Sequence, residues 1–599
     1  MHDTLIGRIR RHLMMSSMMG ANVNISAVAL ATAWAEDRST GDPEALFRAM
    51  AQRIQDAAPG TGLQAAADWL RSTSFASLAH QGLANALREL QSGSHGPIDW
   101  SAEFAACFAQ SRMEAQFWPS LPIARAINRV IDIPLSERTV CVFDGAATIA
   151  WNLSGDREVS LLLTNHETTI VMALLARAAC RPLEIGFVPQ LVDIIARSSP
   201  YGDDPLPKRF DHIITVPPFG MRVHEGDARG MPVEVLQIER LAPRALQTFT
   251  TIVPDGALFR EGRQEVEARR AMVAESATTV MSLPSGIFMP YSALATSLVR
   301  LEPRRNTGNA QMISARMLEK AVAGRSSEQA IVRHLEQFQG LRARDAARSE
   351  LATHEDLEAN NFSLLPERYV KSEDLVRIED ALKDRPQLAL EDIATIERSK
   401  APLPLRDGAI EDLALSALEI APSDIVDGLV REPKRRVAFD PSQKGALAKV
   451  AIKPGDILVS IKGNVGIVGH VNIKANLAVL FDEPWIVSQS LAIIRLKPDG
   501  PFATSEVLAA ILTAPWVREK LESMSGGSTV RSLPISAIRS LPIPVPTTEE
   551  IAAASEHLTM VDNLRHTVGE LTDKINQTRN ALWHSLWNVA PNSEMNNPC

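Results

Sequence analysis

Between about residues 138 and 300, short apolar runs alternate with helix-like segments, and this alternation limits the possible folds more than any other feature of the chain. Apolar runs of this length that alternate with helices favour a parallel sheet covered by helices on both faces. The predicted strands are 139–144, 159–164, 185–187, 211–215, 278–283 and 295–301. The predicted helices are 168–179, 233–248 with a kink at Pro243, and 266–275. The sequence therefore predicts an α/β domain with a mostly parallel sheet.

The segments on either side have a different character, and 599 residues are too many for one core. The first part of the chain has apolar residues at three- and four-residue spacing, which predicts helices, and 316–360 is predicted to be helical and highly charged. The last third carries many β-branched residues and prolines, and a long helix is predicted from 548 to 587. The predicted domains are a helical domain (1–114), an α/β domain (115–320), a helical connector (321–380), a mixed α+β domain (381–546) and a C-terminal coiled-coil-like helix and tail (547–599).

Composition narrows the class of protein. Hydrophobic content of 45% and charged content of 22% are typical of a soluble globular protein. A net charge of −9 argues against an overall basic coat for nucleic acid but permits a local basic cleft. The four cysteines are far apart and form no metal-binding or disulfide pattern, which favours the reducing cytoplasm. No metal site is predicted, because no CxxC-type ligand pair occurs. No run of about 18 apolar residues occurs, so no membrane span is predicted.

The stretch I-I-T-V-P-P-F-G at 213–220 is the first candidate for a functional site. Two prolines must end the strand because proline cannot continue a sheet ladder. Phe219 is then held on a stiff loop at the carboxyl end of a strand, where open α/β sheets bind ligands. The alternative is an ordinary turn that ends a strand. The first predicted strand ends in Asp144, which suggests nucleotide binding, although the loop after it contains a single glycine, Gly145.

Several stretches then occur in a recognisable order. They are A-Q-F-W-P-S at 115–120, F-D-G-A-A at 143–147, F-D-H-I-I-T-V-P-P-F-G at 210–220, V-P-D-G at 253–256, S-L-P-S-G-I-F at 282–288 and N-N-F-S-L at 360–364. In this order they resemble the modification subunit of type I restriction-modification systems, an N6-adenine DNA methyltransferase. The resemblance implies a Rossmann-like domain and S-adenosylmethionine as cofactor if the chain is active, and otherwise no cofactor. It places cofactor binding at Phe117, Asp144, Gly145 and Ala146, and the catalytic N-P-P-F loop at Val216, Pro217, Pro218 and Phe219.

The last third resembles half of a specificity subunit. The motifs are G-D-I-L-V-S-I-K-G-N-V-G at 455–466, S-Q-S-L-A at 488–492, S-G-G-S-T-V-R at 525–531 and L-P-I-P at 541–544. This resemblance implies a target recognition domain for double-stranded DNA, followed by a long helix. Basic residues at 431–474 are what a phosphate-tracking surface requires, and a solvated face is the alternative. The candidate DNA-binding residues are Lys434, Arg435, Arg436, Lys462, Asn464, Gln489 and Arg531.

The departures from the family pattern affect a single reaction. Val216 stands where the family has the asparagine that holds the amine of a flipped adenine, and valine has no side-chain acceptor. Thr148, Ala150 and Trp151 stand where the cofactor loop has glycines, and the acidic residue expected after the second strand is not evident. The sequence therefore predicts that methyl transfer is lost while DNA recognition remains.

Two alternatives stay open. A shifted alignment or a neighbouring residue, Asp211, Asn165 or Thr215, could replace the missing asparagine, and the chain would then be an active S-adenosylmethionine-dependent methyltransferase. Alternatively, the chain could be an inhibitor or assembly subunit that binds another methylase through its last helix. The partners expected besides DNA are a restriction or translocase subunit, or a second copy bound through that helix, whose apolar residues recur every three or four positions.

Overall fold

The computed structural model describes residues 4–15, 21–57, 60–72, 77–92, 97–110, 118–188, 209–223, 229–284, 286–289, 292, 294–305, 307–316, 328–343, 349–398, 415–471, 484–498, 500–502, 504–525 and 532–587. These residues form two compact units, one up to residue 373 and one from residue 374. No helix in the described ranges is both long and apolar enough to cross a membrane.

The first unit opens with helices, as the periodicity of residues 1–114 predicts. They are α1 (Leu5–Met15), α2 (Ala21–Glu36), α3 (Pro43–Asp56), α4 (Thr61–Ser72), α5 (Ser77–Ser92), α6 (Trp100–Gln110) and α7 (Leu121–Ile131). Helix α3 is representative, because Leu46, Met50 and Ile54 recur on its buried face and Asp42 caps its first turn. The first turn of α1 is held by the buried carboxylate of Glu103, which accepts hydrogen bonds from two of its backbone amides.

The α/β part of this unit contains strands and helices in alternation. The strands are β1 (Thr139–Val142), β2 (Val159–Leu163), β3 (Leu183–Phe187), β4 (Phe210–Thr215), β5 (Ala245–Pro254), β6 (Ser276–Ser282), β7 (Thr296–Pro303), β8 (Ala310–Ser314), β9 (Phe338–Gln339), β10 (Arg342–Ala343) and β11 (Ser349–Ala352). The helices are α8 (Ala147–Leu153), α9 (His166–Ala178), α10 (Val233–Leu241), α11 (Gly256–Phe259), α12 (Arg263–Glu275), α13 (Glu328–Leu335) and α14 (His354–Ala359).

The described strands form a nine-stranded sheet in the order β11-β8-β6-β7-β5-β4-β1-β2-β3, with β9 and β10 as a separate hairpin. Adjacent strands are parallel from β3 through β2, β1 and β4 to β5, and β6 is parallel to β8. Strand β7 is antiparallel to β5 and β6, and β11 is antiparallel to β8. Side chains alternate between the two faces. Cys141 of β1 packs in the core that includes α1 to α9, and Val140 and Val142 pack in the core that includes α10 and α12. The predicted mostly parallel sheet, covered on both faces, is confirmed.

The predicted helix over 233–248 is wrong in its second half. Helix α10 ends at Leu241, a short 3-10 turn follows at Ala242–Arg244, and β5 begins at Ala245. Proline at 243 lacks the amide hydrogen needed to continue the helix. The residues after it are rich in threonine, isoleucine and valine, which favour a strand, and β5 lies between β4 and β7 near the middle of the sheet.

The prediction of a charged helix over 316–360 is also wrong in part. Helices α13 and α14 lie in this stretch, but β11 pairs with β8 and adds an edge strand to the main sheet. Residues 317–327 and 344–348 of that prediction lie outside the described ranges. The pairing of Leu351 with Gln311 joins residues far apart in sequence, and local periodicity does not report such pairing.

The second unit contains smaller sheets and helices. Its strands are β12 (Gln387–Ala389), β13 (Ala394–Arg398), β14 (Leu415–Ile420), β15 (Ile425–Val426), β16 (Leu429–Val430), β17 (Arg435–Phe439), β18 (Ile457–Ser460), β19 (Val468–His470), β20 (Trp485–Val487), β21 (Leu491–Leu496) and β22 (Pro542–Pro544). Its helices are α15 (Glu373–Leu382), α16 (Leu390–Ile393), α17 (Lys444–Val450), α18 (Ser505–Leu512), α19 (Pro515–Ser523), α20 (Ile535–Arg539) and α21 (Thr548–Trp587).

Three sheets organise these strands. A six-stranded sheet has the order β13-β21-β18-β19-β16-β15, a three-stranded sheet the order β17-β14-β20, and β12 pairs with β22. The long helix α21 has the predicted bounds of 548 to 587. Its first turns pack Ile551, Ala554 and Leu558 against the core of this unit. The predicted mixed α+β character of this part of the chain is confirmed.

Candidate functional site

The loop that follows β4 holds the predicted N-P-P-F position. Strand β4 ends at Thr215, directly before Val216-Pro217-Pro218-Phe219, as the two prolines require. The side chain of Val216 is buried, with 1% of the residue exposed, and its amide donates to the carbonyl of Val142 at 3.4 Å. Pro217 is also buried, and Pro218 and Phe219 are half-buried. The valine thus presents only an apolar side chain inside the core at the place where the family resemblance requires an amide.

Phe219 lies against a second aromatic ring. Its ring centroid is 5.4 Å from that of Phe288, with an angle of 84° between the ring planes, which is an edge-to-face contact. Phe288 belongs to the S-L-P-S-G-I-F stretch and is fully buried. Two of the resembling motifs therefore meet at this loop, where the two rings pack against each other.

The three candidate substitutes for the missing asparagine are engaged elsewhere. The carboxylate of Asp211 accepts from the amide of Arg138 at 2.9 Å, at the opposite end of β4 from the loop. Asn165 accepts from the amide of Thr168 at 2.9 Å and caps α9. The hydroxyl of Thr215 donates to Gln237 at 2.6 Å. None of these three side chains offers its acceptor to the Phe219 loop in the described contacts.

Asp144, the predicted cofactor-binding acid, is buried at the carboxyl end of β1. Its Oδ2 accepts from the amide of Thr164 at 3.1 Å and from the Thr164 hydroxyl at 2.6 Å, while its Oδ1 accepts from the amide of Asn165 at 3.2 Å. Burial raises the pKa of Asp144, and these hydrogen bonds oppose the rise. Both carboxylate oxygens are thus used to join β1 to the loop after β2.

The segment after Asp144 is filled by its own side chains. Gly145 and Ala146 form a 3-10 turn, and α8 follows without an open glycine loop. Trp151 is 1% exposed and stacks on Phe104 with 4.2 Å between the ring centroids and 17° between the planes. Residues expected to be glycine in the family are therefore packed into the core. Phe117, the remaining predicted cofactor residue, lies outside the described ranges.

A buried ion pair beside the sheet was not predicted from the sequence. Asp255 of the V-P-D-G stretch accepts from Arg316 through both oxygens, at 2.6 and 2.9 Å, and from the hydroxyl of Ser297 at 2.9 Å. Arg316 also donates to the carbonyls of Leu283 and Thr296. This pair joins the ends of four sheet strands, β5, β6, β7 and β8, and no local spacing in the sequence indicates that residues 255 and 316 meet.

Two side chains of α10 were also not predicted from the sequence. Glu234 is buried, and its Oε1 accepts from the amide of Gly220, directly after Phe219. Gln237, one turn later, is fully buried between Thr215 and Thr251, accepting from Thr215 and donating to the Thr251 hydroxyl at 2.8 Å. Burial raises the pKa of Glu234, and the hydrogen bond from Gly220 opposes that rise. Glutamate and glutamine three residues apart in an ordinary helix gave no signal in the sequence.

In the second unit, the register of the three-stranded sheet places several candidate DNA-binding residues near one end of its strands. Glu419 of β14 pairs with Arg435 on one side and with Ile486 on the other. Lys434 precedes Arg435, and Gln489 follows β20, so both lie toward the same end of this sheet. The side chains of Lys434, Arg435, Arg436 and Gln489 are exposed, and Arg435 forms an ion pair with Glu419 at 2.7 Å.

A backbone hydrogen bond connects a second group of candidate residues to this region. The amide of Ile461 donates to the carbonyl of Ser490 at 2.8 Å, which places the turn with exposed Lys462 and Asn464 beside the segment containing Gln489. Asn464 also accepts from Arg518 at 3.2 Å. Arg531 lies outside the described ranges. The fold therefore places the 462–464 turn beside the segment that contains Gln489, and it places Gln489 and Lys434 toward the same end of the three-stranded sheet.

Two comparisons by sequence bear on these sites. Residues 192–377 match the N-6 DNA Methylase family model. The methylase subunit of the type I restriction enzyme EcoEI from Escherichia coli is 30% identical over 103 residues, which are 15% of this chain and 21% of that subunit. The chain thus matches about a fifth of the length of this relative. These findings confirm the resemblance to type I modification subunits.

Solved structures give more distant likenesses. The methyltransferase subunit of a type I restriction-modification system from Streptococcus thermophilus is 14% identical, with a TM-score of 0.41, over 61% of this chain and 91% of that one. The type IIG restriction endonuclease BpuSI is 11% identical, with a TM-score of 0.44, over 90% of this chain and 72% of that one. The resemblance to type I modification subunits therefore rests on the sequence matches.

Proposed function

We propose that this chain is a sequence-specific DNA-binding protein of a restriction-modification or phage-defence system, in which an N6-adenine methyltransferase fold has lost methyl transfer. The observation that carries the proposal is Val216, an almost fully buried valine at the loop where a target adenine would be received. Polarising an adenine amine needs a hydrogen-bond acceptor at that point, and valine offers none. Asp211, Asn165 and Thr215 use their side chains elsewhere, which supports the same conclusion.

The cofactor implied by the resemblance, S-adenosylmethionine, does not fit the residues at the end of β1. Both oxygens of Asp144 already accept hydrogen bonds from Thr164 and Asn165. The side chains of Thr148 and Trp151 are buried in α8 where an open glycine turn would let a ligand approach the backbone. A ligand at this place would have to displace packed side chains, which supports the loss of methyl transfer.

DNA recognition is assigned to the second unit. Exposed Lys434, Arg435 and Arg436 supply charge for phosphates, and the neighbouring Asn464 and Gln489 carry amides that can read base edges. The alternative is a solvated face, and the ion pair of Arg435 with Glu419 is compatible with it. We propose the DNA-binding role because residues distant in sequence converge at one edge of the unit.

Helix α21 supplies the proposed protein partner surface. Beyond its packed first turns, Val561, Leu564, Val568, Leu571 and Ile575 are 39% to 62% exposed. They alternate at three- and four-residue spacing, with valine or isoleucine at one heptad position and leucine at the other. That pattern favours a two-stranded coiled coil, so we propose a second copy of the chain as the occupant. A restriction or translocase subunit is the alternative partner.

We propose a cytoplasmic location for the assembly. The cysteines are widely spaced and form no disulfide pattern, as is usual in a reducing compartment.

Two experiments test the proposed function. Calorimetric titration with S-adenosylmethionine is expected to give no binding heat, and saturable tight binding would contradict the loss of the cofactor site. Selection from a random-sequence duplex library is expected to enrich one motif. The triple variant Lys434→Ala, Arg435→Ala, Arg436→Ala is expected to weaken binding and to lower its salt dependence, because fewer counterions are released from phosphates. A library that yields no enriched motif would contradict sequence-specific recognition.

A further inference from the structure

Helix α10 contacts the Val216–Phe219 loop on both sides. Gln237 accepts from the hydroxyl of Thr215, the residue before the loop. Glu234 accepts from the amide of Gly220, the residue after it. Because the two side chains lie one helical turn apart, a single rigid element holds both ends of a four-residue loop.

Burying the carboxylate of Glu234 costs free energy, and its interaction with this loop offsets part of that cost. The residue is 3% exposed, and its Oε2 has no hydrogen-bond partner among the described atoms. An unpaired buried carboxylate oxygen costs free energy that an apolar side chain would avoid. The other oxygen makes the contact with Gly220, so fixing that amide is the interaction that the carboxylate gains.

The conformation of Gly220 depends on the same contact. Its φ is +76°, a region that side chains rarely adopt, although no atom lies within 4 Å of an added Cβ. The glycine is therefore required by the backbone turn and not by crowding. Flexible glycine next to Phe219 would let the ring move unless the turn is held, and the hydrogen bond to Glu234 holds it.

We propose that Glu234 and Gln237 form a clamp that fixes the Phe219 ring against Phe288, and that Glu234 is thereby a positioning residue for base stacking at this loop. The proposal rests on the proposed function, because it assumes that an unstacked base of the bound DNA meets Phe219. Glu234 acts through the loop and not on the base, since its carboxylate atoms are buried. A base that stacks on a pre-positioned ring loses less free energy to ordering than one that must order the loop.

Hydrogen exchange of the DNA-free chain tests the clamp itself. Peptides that contain residues 219–221 are compared among the unmodified chain, Glu234→Leu, Glu234→Gln and the matched control Glu239→Leu, an exposed position of the same helix. Losing a hydrogen bond to a carboxylate is expected to accelerate exchange about tenfold or more in Glu234→Leu. Glu234→Gln keeps an acceptor and is expected to stay within about threefold of the unmodified chain. Equal protection in Glu234→Leu and the unmodified chain would overturn the clamp.

Glu234→Asp provides a second variant that keeps the charge and shortens the side chain by one methylene. It is expected to accelerate exchange at the loop as well, and full protection in this variant would also overturn the proposal, even if Glu234→Leu does not fold. Affinity for the selected duplex then tests the consequence. Glu234→Leu is expected to lose about tenfold in affinity for the motif but none for a scrambled duplex, with rescue in Glu234→Gln. Equal losses on both duplexes would overturn the positioning role. If the unmodified chain enriches no motif, the proposed function fails, whereas the exchange comparison still decides the clamp.

Discussion

Val216 is the residue on which the functional account depends most. Its side chain is buried in the same core as Ile214 and Ile287 and is part of the apolar interior. Replacing Val216 with asparagine would supply one hydrogen-bond acceptor but would leave Asp144 and Trp151 in their present contacts. A single change at this residue therefore addresses only one of the departures from the family pattern.

The first prediction is that Val216→Asn does not restore methylation. The variant is expected to lose about 1–3 kcal/mol of unfolding free energy, because an amide is buried without a partner. Transfer of a labelled methyl group to duplex DNA is the measurement, with Val216→Ala as the control for a change in packing. Methylation by Val216→Asn above that of Val216→Ala would contradict the account of the cofactor site.

Arg316 and Asp255 give a second prediction at the residue scale. The pair is 7% and 6% exposed at its side chains, so removing one partner leaves a buried charge. Arg316→Leu is expected to lower the unfolding free energy of the chain by about 3–5 kcal/mol in urea titrations. The matched control is Arg305→Leu, whose ion pair with Glu302 is exposed and is expected to contribute about 0–1 kcal/mol. Equal effects of the two substitutions would show that the buried pair is not a structural anchor.

His212 gives a prediction about pH. Burial lowers the pKa of His212 from its ordinary value of 6.5, and the hydrogen bond with Glu137 opposes the shift. The folded pKa is below the unfolded one, so the contribution to stability is complete above pH 6.5 and is lost as the pH falls through the folded pKa. The unfolding free energy of the chain is expected to fall as the pH decreases below 6.5. His212→Gln is expected to reduce this fall, whereas the exposed His354→Gln is not. An unchanged pH dependence in His212→Gln would contradict the assignment.

At the scale of elements, the sequence predicted what depends on local pattern. The strands β1, β2 and β4 and the helix α21 lie where apolar runs and helical spacing placed them. The strand β5 was missed because the stretch before Pro243 is helical and the same spacing seemed to continue. Edge strand β11 was missed because its pairing with β8 is non-local.

The residues of the candidate site divide in the same way, between those that local motifs predict and those that depend on contacts between elements. The Val216–Phe219 loop and Asp144 were found from motifs, since each lies at the end of a strand that the sequence predicts. Glu234, Gln237 and Arg316 were missed because their partners lie on other elements, and only the folded chain brings them together. Contacts between elements, and not within them, are what local sequence patterns omit.

Helix α21 gives the prediction that belongs to this scale. Leu564 and Leu571 are 57% and 54% exposed, so replacing both with glutamate is expected to leave the thermal unfolding of the chain unchanged. That expectation holds at a dilution at which the unmodified chain is monomeric, because association of folded chains would itself raise the unfolding temperature. The same change is expected to abolish self-association measured by sedimentation velocity, because buried charges would face each other in a coiled coil. Glu570→Gln, on the exposed surface of the helix, is the control. A monomeric unmodified chain would contradict the second copy as partner and leave the other subunits as candidates.

At the scale of the whole molecule, we propose that the two units carry separate functions. The first unit keeps the sheet, the Phe219 loop and the buried Asp144. The second unit collects exposed basic and amide side chains at one edge. If recognition and catalysis are separable in this way, specific DNA binding persists in a chain that transfers no methyl group, and deletion of residues 380–545 removes the specific binding.

The most direct test of that claim is one measurement on the unmodified chain. A random-sequence duplex library is incubated with the chain and S-adenosylmethionine, the bound molecules are recovered, and single-molecule sequencing determines both their sequence and their N6-methyladenine content. The account predicts an enriched motif in which no adenine is methylated. An enriched motif with a methylated adenine would contradict it and identify the chain as an active methyltransferase.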